Sequence, residues 1–115
     1  MTRRSALVAF VLLLSGCSVE TGDEAKDKCR DLVKDWCSKA IGCFVDRGDL
    51  AASREASELD SCRKTGESTI ECGAAVKTSD NYDECMSTVH AIECGDVSSD
   101  AKLPSQCKAV IELSD

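Results

Sequence analysis

Two hydrophobic patterns divide this chain. Residues 6–14 form an unbroken apolar run of nine, whereas from Asp23 onward the apolar positions recur at three- and four-residue steps. The second pattern is that of helices with one buried face. Cys29, Val33, Trp36, Cys37, Ala40 and Ile41 predict a first helix from Asp23 to about Ile41. Thr21-x-x-Glu24 offers a capping box, Asp23 a competing cap, and Gly42 a C-terminal stop. Glu24/Lys28 and Asp35/Lys39 stand four apart and are expected to pair on the outer face. Asp49 opens a second helix through Ala52, Ala56, Leu59 and Cys62, which Thr65-Gly66 interrupts. Ser68-x-x-Glu71 opens a short third through Ile70 to about Lys77. Asp80 caps a fourth, through Tyr82, Cys85, Met86, Val89 and Ile92, that Gly95 stops. Residues 96–102 read as loop, and Pro104 suits the first turn of a last helix to about Leu113. No segment reads as a strand. The expectation is an all-α fold: a small, disulfide-stapled bundle of four or five short helices.

The nine-residue apolar run is too short to span a bilayer as a helix. It follows Arg3 and Arg4 and closes on Ser15 and Gly16 directly before Cys17, which is the anatomy of a secretory signal. Leu14-Ser15-Gly16-Cys17 resembles the lipobox of bacterial lipoproteins. That resemblance implies removal of residues 1–16, acylation of Cys17, and a membrane anchor through the acyl chains. Residues 17–22 then form a lipidated tether, whose polar run Ser18–Gly22 spans about 12 Å on average. Residues 23–115 remain as one cysteine-rich domain. In Gram-negative lipoproteins, Ser18 in the position after the lipidated cysteine implies sorting to the outer membrane.

Charge and cysteine content sharpen this picture. The chain has 21 acidic and 14 basic residues. Loss of Arg3 and Arg4 with the signal moves the formal charge from −7 to −9. Such a surface lacks the Lys/Arg footprint that nucleic acid requires. After the signal only Trp36, Phe44 and Tyr82 are aromatic, so the core is thin and a domain of this size needs covalent staples. Nine cysteines are an odd number for an exported chain. The lipobox consumes Cys17 and leaves Cys29, Cys37, Cys43, Cys62, Cys72, Cys85, Cys94 and Cys107, which read as four disulfides. Eight cysteines allow 105 pairings. Folding the first two helices about residue 46 favours Cys29–Cys62. Folding the next two about residue 79 favours Cys72–Cys85, and Cys37, Cys43, Cys94 and Cys107 would pair among themselves.

An internal echo is visible. Leu59-Asp60-Ser61-Cys62 precedes Ile70-Glu71-Cys72-Gly73, and Tyr82-Asp83-Glu84-Cys85 precedes Ile92-Glu93-Cys94-Gly95. A duplicated helical unit and chance in an Asp- and Cys-rich chain both account for it.

Candidate chemistry is sparse. There is no Cys-x-x-Cys, so neither a dithiol redox pair nor a zinc knuckle has its usual spacing. The twin Cys-x9-Cys hairpin pattern fits Cys62 and Cys72 but misses Cys85 and Cys94 by one residue. His90 is the only histidine and lies in no nucleophile motif. Asp80, Asp83 and Glu84 lack the alternating acids and glycine of an EF-hand and read as helix-start residues. No catalytic constellation and no metal or organic cofactor is expected.

Helical disulfide-rich carriers such as the plant lipid-transfer proteins and the elicitins share this chain's class, without the adjacent Cys-Cys or the Cys-x-Cys of the plant family. The lipobox, the acidic tether and eight cysteines ending in Leu103-Pro104-Ser105-Gln106-Cys107 look like the small cysteine-rich lipoproteins of myxobacterial-type bacteria. That resemblance implies an envelope location and no catalytic residue. The expectation is a structural or protein-interaction module anchored in the envelope, acting on an envelope protein or ligand. The alternative is a carrier for a small hydrophobic ligand.

Overall fold

The computed structural model describes residues 20–114. The expected signal, residues 1–16, and the expected lipidation site Cys17 lie outside the described residues.

Helix α1 (Gly22–Asp46) is the spine of the domain. It starts where Thr21 turns extended and its hydroxyl accepts the Glu24 N–H at 3.1 Å, one half of the expected capping box. Its buried residues include all six apolar positions of the sequence pattern, together with Ala25, Leu32 and Cys43. The helix does not stop at Gly42. It runs one turn further and carries Cys43 and Phe44 into the core before Gly48, at φ 81°, turns the chain.

Helix α2 (Glu55–Ile70) is a single element where two were expected. Gly66 lies inside it, against Val33 of α1, and serves close approach and not a break. The helix ends at Glu71, which is left-handed at φ 61°. The expected helix beyond Ser68 is replaced by a tight turn at Cys72–Ala74 and by strand β1 (Ala75–Thr78). Helix α3 (Tyr82–Ala91) matches the fourth expected helix, with Asn81 and not Asp80 at its cap position.

The final helix expected from Pro104 does not form. Pro104 instead begins a three-residue turn at Ser105–Cys107, and Ile111–Leu113 becomes strand β2, antiparallel to β1 with a bulge between Ala75 and Lys77. The described residues are therefore mostly helical, with three α-helices and one two-stranded sheet.

Two cores share α1. On one side Leu32, Trp36, Ala40 and Cys43 pack against Tyr82, Cys85 and Val89 of α3 and against Val97, Cys107 and Val110. On the other, Ala25, Cys29, Val33 and Cys37 pack against Cys72 and Ala75, with Leu59, Cys62 and Ile70 of α2 half-buried beside them. Ile111 touches both.

All eight cysteines among the described residues are paired, two disulfides to each core: Cys29–Cys72, Cys37–Cys62, Cys43–Cys94 and Cys85–Cys107. Neither expected pairing forms. Because α1 runs on to Asp46 and α2 waits until Glu55, the turn centres near residue 50, which sets Cys62 opposite Cys37 and not Cys29. Cys72 and Cys85 part because a strand, and not a helix, lies between them. Each bridge contributes about 2–4 kcal/mol by constraining the unfolded chain.

The sequence echo has a structural counterpart. Cys62 and Cys85 lie within helices, whereas Cys72 and Cys94 each begin a three-residue turn and each reach back to α1. The entry to the turn differs, since Glu71 is left-handed and Glu93 extended.

Candidate functional site

The most developed concavity lies between α1, the end of α2 and the irregular segment 101–111. Leu32 of α1 and Ile70 of α2 form one side, and residues 102–111 form the other, enclosing about 730 Å³. An adjoining hollow of about 330 Å³ continues over Val33, Trp36 and Gly66 and shares Ile70 and Leu103 with the first. Volumes of this size are typical of clefts that hold one small molecule.

The wall is irregular in backbone yet fixed at several points. The buried Trp36 indole N–H donates to the Ala101 carbonyl at 2.8 Å. Asn81 Nδ2 donates to the Gln106 carbonyl at 3.1 Å, and the Ser79 N–H donates to the Val110 carbonyl at 2.8 Å. Cys107 is tied covalently to α3 through Cys85. Ala101 and Ala109 both adopt the left-handed region, at φ 54° and 58°. That conformation costs an L-residue roughly 1–2 kcal/mol, so the anchors hold the segment against its own preference.

The cleft is lined by apolar groups, with Lys102 and Lys108 as its two charged residues. The segment 101–111 contains both lysines and no acid. Asp100 borders the adjoining hollow, where its carboxylate accepts from Ser98 Oγ at 2.6 Å. That hydrogen bond, above all, holds the Asp100 carboxyl below the usual range, and the Lys102 charge adds to the effect.

A second, polar hollow lies where the described chain begins. Lys28, Thr78, Asp80, Tyr82 and Asp83 line it. Glu20 accepts from Lys28 Nζ at 2.7 Å, from the Thr78 N–H at 2.6 Å and from Thr78 Oγ1 at 2.7 Å. The Lys28 ammonium, and then Thr78, bring its carboxyl down to about 2. The Tyr82 hydroxyl donates to the Lys28 carbonyl at 2.9 Å, and burial, with Asp31, Asp35 and Asp83 nearby, pushes that phenol up to about 12.

The expected pairs along α1 are not the ones that form. Lys28 turns to Glu20, and Lys39 donates to the His90 and Ile92 carbonyls. Asp35 instead meets His90, with Nε2 2.8 Å from Oδ2. In each case the partner comes from elsewhere in the chain. His90 is thus joined to a carboxylate across two helices, on an exposed surface and with no serine or cysteine nucleophile in the pair.

Asp80 and Asp83 share the polar hollow with Lys28, and Glu84 is exposed beside them. Among the described residues no cluster of three His, Cys, Asp or Glu side chains has a geometry suited to a metal ion. No helix of the described residues is long and apolar enough to cross a membrane.

Sequence reasoning missed the cleft wall. Its signal was the pair of lysines in an acid-free stretch of an acidic chain. No family model matches this chain, and no curated protein or solved structure shows significant similarity to it.

Proposed function

We propose that this chain is a non-catalytic binding module of the cell envelope, held at the outer membrane through acylated Cys17, whose stapled domain takes a small hydrophobic ligand. The apolar cleft over Leu32, Ile70 and Leu103 carries this reading. Its walls come from three separate parts of the chain, and the Cys37–Cys62 and Cys85–Cys107 bridges fix two of them. Preorganisation of this kind lowers the ordering cost of binding. The lipobox supports the anchor. An acidic surface supports holding by acyl chains and not by headgroup attraction.

A protein partner is the second reading, supported by Val76 and Leu113. They are the exposed large apolar side chains of the described residues, and they sit on neighbouring strands of the sheet. Native mass spectrometry of the full chain carrying Cys17→Ser separates the two. A carrier shows a co-purified small-molecule adduct that organic extraction removes. A clean apo mass together with a single reproducible crosslinked protein in cells overturns the carrier reading in favour of the sheet surface.

A further inference from the structure

We infer that the cleft takes a single-chain alkanoate, its hydrocarbon along Leu32, Ile70 and Leu103 and its carboxylate at Lys102 and Lys108. This rests on the hydrophobic-ligand reading above and gives the ligand a chemical class. The first observation is the distribution of charge. Acids outnumber bases 21 to 14 in the chain, yet the two charged residues that line the larger cleft are both lysines. Chance placement in so acidic a chain favours the opposite sign. A neutral apolar ligand has no use for either ammonium, and a cationic one would be repelled.

The second observation is placement. The lysines stand at the two ends of the run Lys102–Lys108, directly inside the left-handed Ala101 and Ala109. Trp36 and Cys85 pin that run. The charges are thereby carried on a fixed wall and not on a free loop. Asp100, the one carboxylate lining the neighbouring hollow, accepts from Ser98 and feels the Lys102 charge, while no acid lines the larger cleft itself. A cleft of about 730 Å³ lies in the range filled by one drug-sized molecule, which fits one acyl chain.

Occupancy of the larger cleft is read by isothermal titration calorimetry, while Trp36, the sole tryptophan, reports entry into the adjoining hollow that it lines. The full chain carrying Cys17→Ser, with its disulfides intact, is titrated below the micellar range with octanoate, decanoate and dodecanoate. Saturable binding is expected, tightening roughly fourfold per methylene until the cleft is filled. Decanol binds several-fold more weakly than decanoate, and decyltrimethylammonium more weakly still. Lys102→Gln with Lys108→Gln lowers decanoate affinity roughly five- to twentyfold and leaves decanol unchanged, whereas the two Lys→Arg changes restore it. Lys64→Gln, on the outer face of α2, serves as the charge control.

Equal affinity for decanoate, decanol and decyltrimethylammonium overturns the alkanoate inference and leaves the hydrophobic-ligand reading standing. Absence of saturable binding by all three overturns both. The comparison of headgroups on the parent chain decides the matter even where a lysine variant fails to fold.

Discussion

A Cβ placed on Gly66 would stand 2.7 Å from Val33 Cγ1, so α2 lies against α1 at a separation that only glycine permits. Val33 is β-branched and confined to essentially one rotamer in a helix, so it cannot swing aside. Gly66→Ala gains about 1 kcal/mol in helix propensity and meets an overpacking penalty of about 1–3 kcal/mol. A net destabilisation of about 1 kcal/mol is expected in urea unfolding without reductant. Val33→Ala in the same chain removes the clash, so the two losses together fall short of their sum. A Gly66→Ala chain as stable as the parent would show that the helices are free to move apart.

Glu20 fastens the start of the described chain to β1 and α1. Its carboxyl lies near 2 in the fold against 4.5 as the ordinary value. A depressed carboxylate stabilises the fold fully above its unfolded value, and the contribution fades as pH falls from about 4.5 through 2. At a partly solvated pair the effect is on the order of 1 kcal/mol. Glu20→Gln is therefore expected to lower the melting temperature by about 4–8 °C at pH 7. The gap should close near pH 2. A constant gap across that range would remove the ionised Glu20 from the account.

Disulfide mapping tests the four-bridge topology directly. Proteolysis of the oxidised Cys17→Ser chain is expected to yield the four cross-linked peptide pairs, with no thiol reactive after denaturation. Recovery of Cys29 with Cys62 would restore the simple hairpin and contradict the fold. Replacing Cys85 and Cys107 by alanine should cost about 2–4 kcal/mol and raise amide exchange over residues 101–111, while the middle of α1 stays protected.

The anchor is tested by fractionation. Cys17→Ser should move the protein from the membrane to the soluble envelope fraction and abolish acyl labelling. Continued membrane association would refute attachment through Cys17.

The buried face of α1 is legible in the chain because its period survives over five turns, long enough for chance apolar spacing to be excluded. Gly66 misleads for a physical reason. Glycine weakens a helix equally whether it ends it or admits a neighbour, and only Val33, 33 residues earlier, decides between the two. Ala75–Thr78 and Ile111–Leu113 are too short to show strand alternation, and they form a sheet only because each meets the other. The C-terminal wall of the cleft is set by Trp36, Asn81 and Cys85, all remote in sequence, so Pro104 read alone points to a helix. The cysteine count gave the staples, while their partners depended on where the first turn is centred.

Helix α2 contains no fully buried residue. Its ties to the spine are the Cys37–Cys62 bridge, the Cys29–Cys72 bridge just past its end, the Gly66 contact, one Arg30–Glu67 ion pair and the half-buried Leu59 and Ile70. Cutting both bonds leaves an exposed helix with little to keep it docked, and Thr69 and Ile70, which border the hollows, are freed with it. The cleft is thus a property of the oxidised chain. Reduction of these two bridges is expected to open the cleft on its α2 side, so the redox state of the surroundings governs whether that concavity keeps its shape.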